Sequence, residues 1–291
     1  MNSPSQHFKS VNGVKICYFV WNESAENAVL LIHATGFHAR CWDSTVAYLG
    51  PQFKVIALEL RGHGRSENKP PYDWLTFGED LKRFVKDLDL SNAVGVGHSM
   101  GGHCLTQACA VHPECFRALL LVDPVIADPR NYPAIDSVSQ WDSVDSHPIS
   151  RRRNEWKSAD EMFENFRNRH PFSIWKEKCL MDYCKWGLLK NSEGSYNLAC
   201  PPRVEASIYV GSRTSDVSAL CRKIRQPVVV MRAQPINRAS QKLDFSKSPT
   251  WPDLHRQFAQ GEDRYHPELS HFIPMERSDL VAQEVSRLSQ L

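Results

Sequence analysis

The sequence predicts an α/β fold: a mostly parallel central sheet with helices on both faces, and a helical cap inserted into it. Three observations carry this. Short β-rich apolar runs recur through the first half, helix-like segments alternate with them, and the alternation stops after Asp123 and resumes only near Gln226. The runs occupy residues 15–21, 28–34, 54–60, 93–97 and 118–122, each bounded by turn residues. They are apolar at nearly consecutive positions, as strands covered on both faces must be. Residues 43–49, 74–88 and 100–111 read as the intervening helices, an order that suits parallel strands joined by crossovers.

Beyond Asp123 the pattern breaks. Pro124, Pro129, Pro133 and Pro148 punctuate a polar stretch, and an aromatic-rich helical region follows at residues 156–187. The valine run at 227–232 reads as a returning strand, and 279–288 as a closing amphipathic helix. The expected organisation is a core domain of residues 1–125 and 219–291, with a helical cap at 126–218 inserted after the strand that ends at Asp123. The loop 235–252 is long and proline-punctuated, a feature of functional or mobile segments.

Composition narrows the class without naming a function. The 291 residues include 35 Lys and Arg against 33 Asp and Glu, a net charge of +2, so bulk charge calls for neither a nucleic-acid nor a membrane partner. The densest basic run, Arg151 to Arg153, is followed by Glu155 and Asp160 and reads as solvated surface. The nine cysteines lack CxxC spacing, and Cys104 and Cys109 fall in a helix-like segment, so they read as reduced core residues. With no CxxC and no HExxH, neither a metal nor a cofactor is expected. Residues 1–15 lack the apolar stretch of a signal peptide, and no run is long enough to span a bilayer. The expected address is cytoplasmic, which makes the Asn22-Glu23-Ser24 sequon an accident of composition. Nothing here indicates an oligomeric state.

The strongest chemical signal is Gly97-His98-Ser99-Met100-Gly101, a GxSxG pentapeptide between an apolar run and a helical segment. Strand, sharp turn and helix lift the serine hydroxyl above the sheet edge, and glycines flank it because side chains there would crowd the crossing of strand and helix. The adjoining helix N-terminus offers free N–H groups to a developing oxyanion.

With this elbow, four further segments make the whole chain resemble the α/β-hydrolase superfamily, specifically its capped single-domain serine hydrolases of esterase and lactonase type. The segment from His33-Ala34-Thr35-Gly36 to Trp42 resembles the family's oxyanion loop, with Ala34 in place of the usual glycine. The resemblance implies that the N–H groups of Thr35 and Met100 form the oxyanion hole, where one donor is worth on the order of 3 kcal/mol. His33 is expected to brace that loop. The segment from Leu58 to Ser66 resembles the turn after the next strand, usually opened by Asp where Glu59 stands, and Arg61 and His63 are expected to be scaffold. The segment from Ser270 to Glu276 resembles the family's catalytic histidine loop, which makes His271 the base for Ser99.

The acid of such a triad is less direct. Most relatives carry it just after the strand that here spans 228–232, yet the text that follows, Ala233-Gln234-Pro235-Ile236-Asn237, contains none. A second position known in the fold, the end of the strand after the nucleophile helix, holds Asp123; Asp244 and Asp253 in the later loop remain alternatives. Trp141, Trp156, Phe163, Phe166, Phe172, Trp175, Tyr183 and Trp186 are expected mainly to pack the cap, with some lining an apolar substrate pocket. Together these imply a small-molecule substrate and hydrolysis of a carboxylic ester, lactone or thioester of a modest-sized apolar acyl or aryl group. Carbon–carbon bond hydrolysis and a non-catalytic, ligand-binding role stay open as alternatives, and a serine at the elbow disfavours epoxide or haloalkane opening.

Overall fold

The computed structural model describes residues 3–131, 143–212, 216–236 and 244–291; Pro133, Trp141 and Asn237 lie outside them. The chain starts with a hairpin, β1 (Ser5–Val11) and β2 (Val14–Trp21). Asn12 and Gly13 make its turn at φ 49° and 74°, the left-handed pair that a two-residue type I′ connection requires. The strands β3 (Asn27–Ile32), β4 (Phe53–Leu58), β5 (Ala93–His98) and β6 (Phe116–Val122) follow, with α1 (Asp43–Tyr48), α2 (Trp74–Asp87) and α3 (Met100–Val111) between them.

The segment after β6 carries β7 (Glu155–Trp156), α4 (Ala159–Phe166), α5 (Glu177–Trp186), β8 (Leu188–Lys190), β9 (Tyr196–Leu198), α6 (Pro202–Gly211) and α7 (Ser218–Cys221). The strands pair antiparallel as a small sheet, β7-β9-β8. This insert is therefore not helical alone. Strands of two or three residues are too short to show alternation in a sequence. The chain then returns through β10 (Pro227–Arg232) and β11 (Gln260–Tyr265) and closes with α8 (Ile273–Glu276) and α9 (Ser278–Leu288).

Among the described residues the central sheet has eight strands in the order β1-β2-β4-β3-β5-β6-β10-β11, parallel from β4 through β11 and antiparallel at β1 and β2. Two cores cover it. Leu30, Ile32, Val228 and Val230 pack with Phe77, Leu81 and Phe84 of α2 and Leu105 of α3. Their strand neighbours Val29, Leu31, Val229 and Met231 point the other way, against Val46 of α1 and Val281 and Val285 of α9. All nine cysteines are free and buried. No helix among the described residues is long and apolar enough to cross a membrane.

The next two strands in the chain, β4 and β5, flank β3 on opposite sides. The crevice above such a divergence, at the carboxyl ends of the strands, is where open α/β sheets place their sites. Leu31, fully buried in β3 between Ala57 and Val96, reports on this scaffold: Leu31→Ala should cost about 3 kcal/mol of stability, read as a lower urea midpoint.

Candidate active site

Ser99 occupies the joint between β5 and α3 with φ 56° and ψ −119°, a conformation that L-residues rarely adopt. Its neighbours hold it there. The Ser99 N–H donates to the Val122 carbonyl at 3.0 Å, and its own carbonyl accepts from Gly102 N at 3.1 Å and Val125 N at 3.2 Å. A Cβ on Gly97 would come within 2.5 Å of the Gly101 carbonyl oxygen, and one on Gly101 would overlap the Ile32 carbonyl. Both elbow positions thus exclude any side chain, which is the steric reason for their spacing.

His271 stands just before α8, at the other end of the chain. Its Nε2 lies 3.0 Å from Ser99 Oγ and its Nδ1 lies 2.6 Å from Asp123 Oδ2. The carboxylate accepts on one oxygen and the hydroxyl on the far side offers a proton, so Nδ1 carries the ring hydrogen and Nε2 is the free base. Asp123 follows directly on β6 at φ 44°, a left-handed conformation that Asp tolerates better than most residues. Its second oxygen, Oδ1, accepts from Ala233 N at 3.0 Å, Ser248 Oγ at 2.6 Å and Thr250 Oγ1 at 3.2 Å.

The structure therefore brings Ser99, His271 and Asp123 together and leaves the other two acids elsewhere. Asp244 accepts from Ser246 and lies 3.5 Å from His170, while Asp253 pairs with Arg256 at the surface. The long loop contributes in another way: Ser248 and Thr250 hold Asp123, and the Ser246 carbonyl accepts the His271 N–H at 2.7 Å. Nothing in the sequence around Ser248 and Thr250 separates them from ordinary loop residues. His98, the variable position of the pentapeptide, is a second contributor not foreseen. Its Nε2 donates to the His271 carbonyl at 2.8 Å, fastening the histidine loop to the elbow.

Thr35 lies beyond β3, where its hydroxyl donates to Met100 Sδ at 3.2 Å, so the two residues expected to form the oxyanion hole are in contact. Two buried imidazoles stiffen this loop. His33 donates from Nδ1 to the Ala34 carbonyl at 2.8 Å and accepts the Leu60 N–H on Nε2 at 3.0 Å. His63 donates to the Arg61 carbonyl at 3.0 Å and accepts the Gly36 N–H at 3.1 Å. Arg61 grips Asp80 through two bonds of 2.8 and 3.0 Å, and fully buried Glu59 accepts from the Arg65 N–H and guanidinium. These residues are scaffold by geometry.

The insert attaches to the same loops. His38 Nε2 donates to the Tyr183 carbonyl at 3.1 Å, and Arg65 Nη1 to the Trp186 carbonyl at 3.1 Å. The rings of Trp175, Tyr183 and Phe272 surround Phe37 at 5.7, 5.3 and 6.1 Å, and Phe37 in turn stands 6.1 Å from the His98 ring. Trp156, Phe163, Trp175 and Tyr183 are buried in one cluster with Phe272 and Met275 of the histidine loop. No group of His, Cys, Asp and Glu suited to a metal ion occurs among the described residues.

Burial keeps four histidines neutral. It lowers His38 and His98 to about 3 and His63 to about 4, and holds His33 well below the usual range. In the unfolded chain each takes a proton near pH 6.5, which the folded protein refuses until the pH is far lower. The stability each contributes is complete above pH 6.5 and is lost as pH falls toward its folded value, by about 1.4 kcal/mol per pH unit. The urea midpoint should therefore drop steeply between pH 6.5 and 5; a flat profile there would contradict neutral burial.

Comparison with known proteins agrees with this architecture. A family model described as alpha/beta hydrolase family matches residues 29–284. An uncharacterised protein of Mycobacterium tuberculosis is 30% identical over 120 residues, 41% of this chain and 35% of that protein, so the match spans about a third of that relative's length. The bifunctional esterase/perhydrolase DCH of Acinetobacter calcoaceticus is 24% identical over 281 residues, 94% of this chain and 95% of that protein. Among solved structures, E-2-(acetamidomethylene)succinate hydrolase superposes with a TM-score of 0.76 at 15% identity, covering 99% of this chain and 100% of its own. An elbow serine above a mostly parallel sheet and a family match that takes in the strands from β3 to β11 lead to one assignment: the chain belongs to the α/β-hydrolase family, whose members are hydrolases, esterases among them.

Proposed function

We propose that this protein is a serine hydrolase that cleaves a carboxylic ester, lactone or thioester of a modest-sized apolar acyl or aryl substrate through an acyl-enzyme. The observation that carries this reading is the unbroken relay from Ser99 Oγ to His271 Nε2 at 3.0 Å and from His271 Nδ1 to Asp123 Oδ2 at 2.6 Å. A buried hydroxyl aligned on an imidazole, itself aligned on a carboxylate, is what activates a weak nucleophile at neutral pH.

In this mechanism Ser99 Oγ attacks the carbonyl carbon while His271 Nε2 takes its proton. Asp123 stabilises the resulting imidazolium and fixes its tautomer. The oxyanion receives the N–H groups of Thr35 and Met100, the latter at the N-terminus of α3, where the helix dipole adds to the stabilisation. Collapse of the tetrahedral species expels the alcohol or thiol, which leaves with the proton from His271. Water then gives a proton to His271 and attacks the acyl carbon, and release of the acid returns that proton to Ser99.

The insert acts here as a cap whose aromatic cluster around Phe37 favours apolar acyl or aryl groups. The relative named as an esterase/perhydrolase points to the same chemistry. A cytoplasmic address accords with nine unpaired, buried thiols.

A fluorophosphonate probe should label the wild type and fail to label Ser99→Ala; an inert wild type would overturn the enzyme reading in favour of a ligand-binding one. With 4-nitrophenyl esters, Asp123→Asn should lower kcat by about four orders of magnitude through loss of the imidazole's orienting partner. Asp244→Asn and Asp253→Asn should retain turnover within severalfold, and full turnover by Asp123→Asn would remove that residue from the relay.

A further inference from the structure

One buried side chain at the elbow stands next to every member of the relay and plays no part in the steps above. His98 is the last residue of β5, directly before Ser99. In the sheet it pairs with Val122, the residue directly before Asp123. Its Nε2 lies 2.8 Å from the main-chain oxygen of His271, an atom that only accepts, so this nitrogen carries the ring hydrogen. The two imidazole rings stand 5.1 Å apart between centroids.

His271 has four polar atoms, and each has a fixed partner. The side chain meets Asp123 at Nδ1 and Ser99 at Nε2, while the main-chain N–H donates to the Ser246 carbonyl at 2.7 Å and the main-chain oxygen accepts from His98. Of these partners, Ser99 and His98 belong to the elbow, and the bond to Ser99 does not last. In the acyl-enzyme Ser99 Oγ carries the acyl group and has no proton to offer, so that contact is lost halfway through the cycle. The bond from His98 involves no atom that reacts and persists through both half-reactions. Burial, and after it the neighbouring His271 ring, hold His98 down to about 3, so the donor is neutral near pH 7 and sets no second cation beside the imidazolium that forms.

We infer that His98 is a positioning residue: by reaching from the position before the nucleophile to the carbonyl of the base, it fixes the separation of Ser99 and His271 through acylation and deacylation. The inference rests on the serine-hydrolase reading and adds to it a residue that acts through His271. Misplacement of reacting groups by about 1 Å costs on the order of 100-fold in rate, so a tether on the base itself is felt in kcat. The requirement at position 98 is then a hydrogen-bond donor at the reach of an imidazole Nε2.

Two amides separate reach from polarity. The side-chain nitrogen of Gln stands as many bonds from Cβ as the imidazole Nε2 does, and that of Asn stands one bond short. With 4-nitrophenyl hexanoate, His98→Asn should lower kcat about thirtyfold with KM changed less than about twofold, and should slow fluorophosphonate labelling of Ser99 by a similar factor. His98→Gln should restore kcat to within about threefold of wild type. A role confined to filling the site with a neutral polar group would leave kcat the same in both amides. If His98→Asn does not fold, His98→Met, which fills the volume and has no donor, should show the same loss. A kcat near wild type in the variant that lacks the reach, or a loss in His98→Gln as deep as in His98→Asn, overturns this inference and leaves the hydrolase reading intact. A wild type inert to both ester and probe overturns both.

Discussion

The carboxylate of Asp123 is the point on which the site converges. It accepts from His271, from the main chain at Ala233 after β10, and from Ser248 and Thr250 in the following loop. Three segments of the chain are thereby fixed to the end of one buried strand. A carboxylate held by these fixed donors keeps its other oxygen on His271 Nδ1, and that bond keeps the ring in the tautomer that leaves Nε2 free. Ser99 stands on the elbow, but the aspartate cradle determines where the imidazole stands relative to it.

The place of this acid explains an oddity of the sequence. The stretch after β10, where relatives commonly carry the acid, reads Ala233-Gln234-Pro235. Ala233 serves the site with its backbone N–H, which points at Asp123 Oδ1 across the adjoining strand ends. Strands β6 and β10 are paired neighbours, so a carboxylate on either can reach the same imidazole nitrogen. Adjacency in the sheet is what lets Asp123 after β6 and the Ala233 N–H after β10 meet at one point.

Much of this was legible beforehand, for reasons that follow from burial. Strands covered on both faces are apolar along their length, which is why β3, β5, β6 and β10 could be read directly. The edge strands β1 and β11 are half-exposed, with sequences SQHFKSV and QGEDRY, and neither announces itself by hydrophobicity. The elbow was legible because two crowded backbone positions demand glycine at fixed spacing. Ser248, Thr250 and His98 were not, because a hydroxyl or an imidazole that holds another residue leaves no periodic trace. Glu205 is hidden for a related reason: an acid in a helix reads as solvent-facing until the partner that allows its burial, Arg152, is located fifty-odd residues away.

The moorings of the insert have a consequence of their own. His38 and Arg65 grasp α5 by the main-chain oxygens of Tyr183 and Trp186, near the C-terminal end of that helix, where the Tyr183 oxygen also accepts the Gly187 N–H. An anchorage made of peptide oxygens is indifferent to which side chains the helix displays. Substitutions on α5 that spare the packing of Tyr183 against Phe37 therefore leave both main-chain contacts in place.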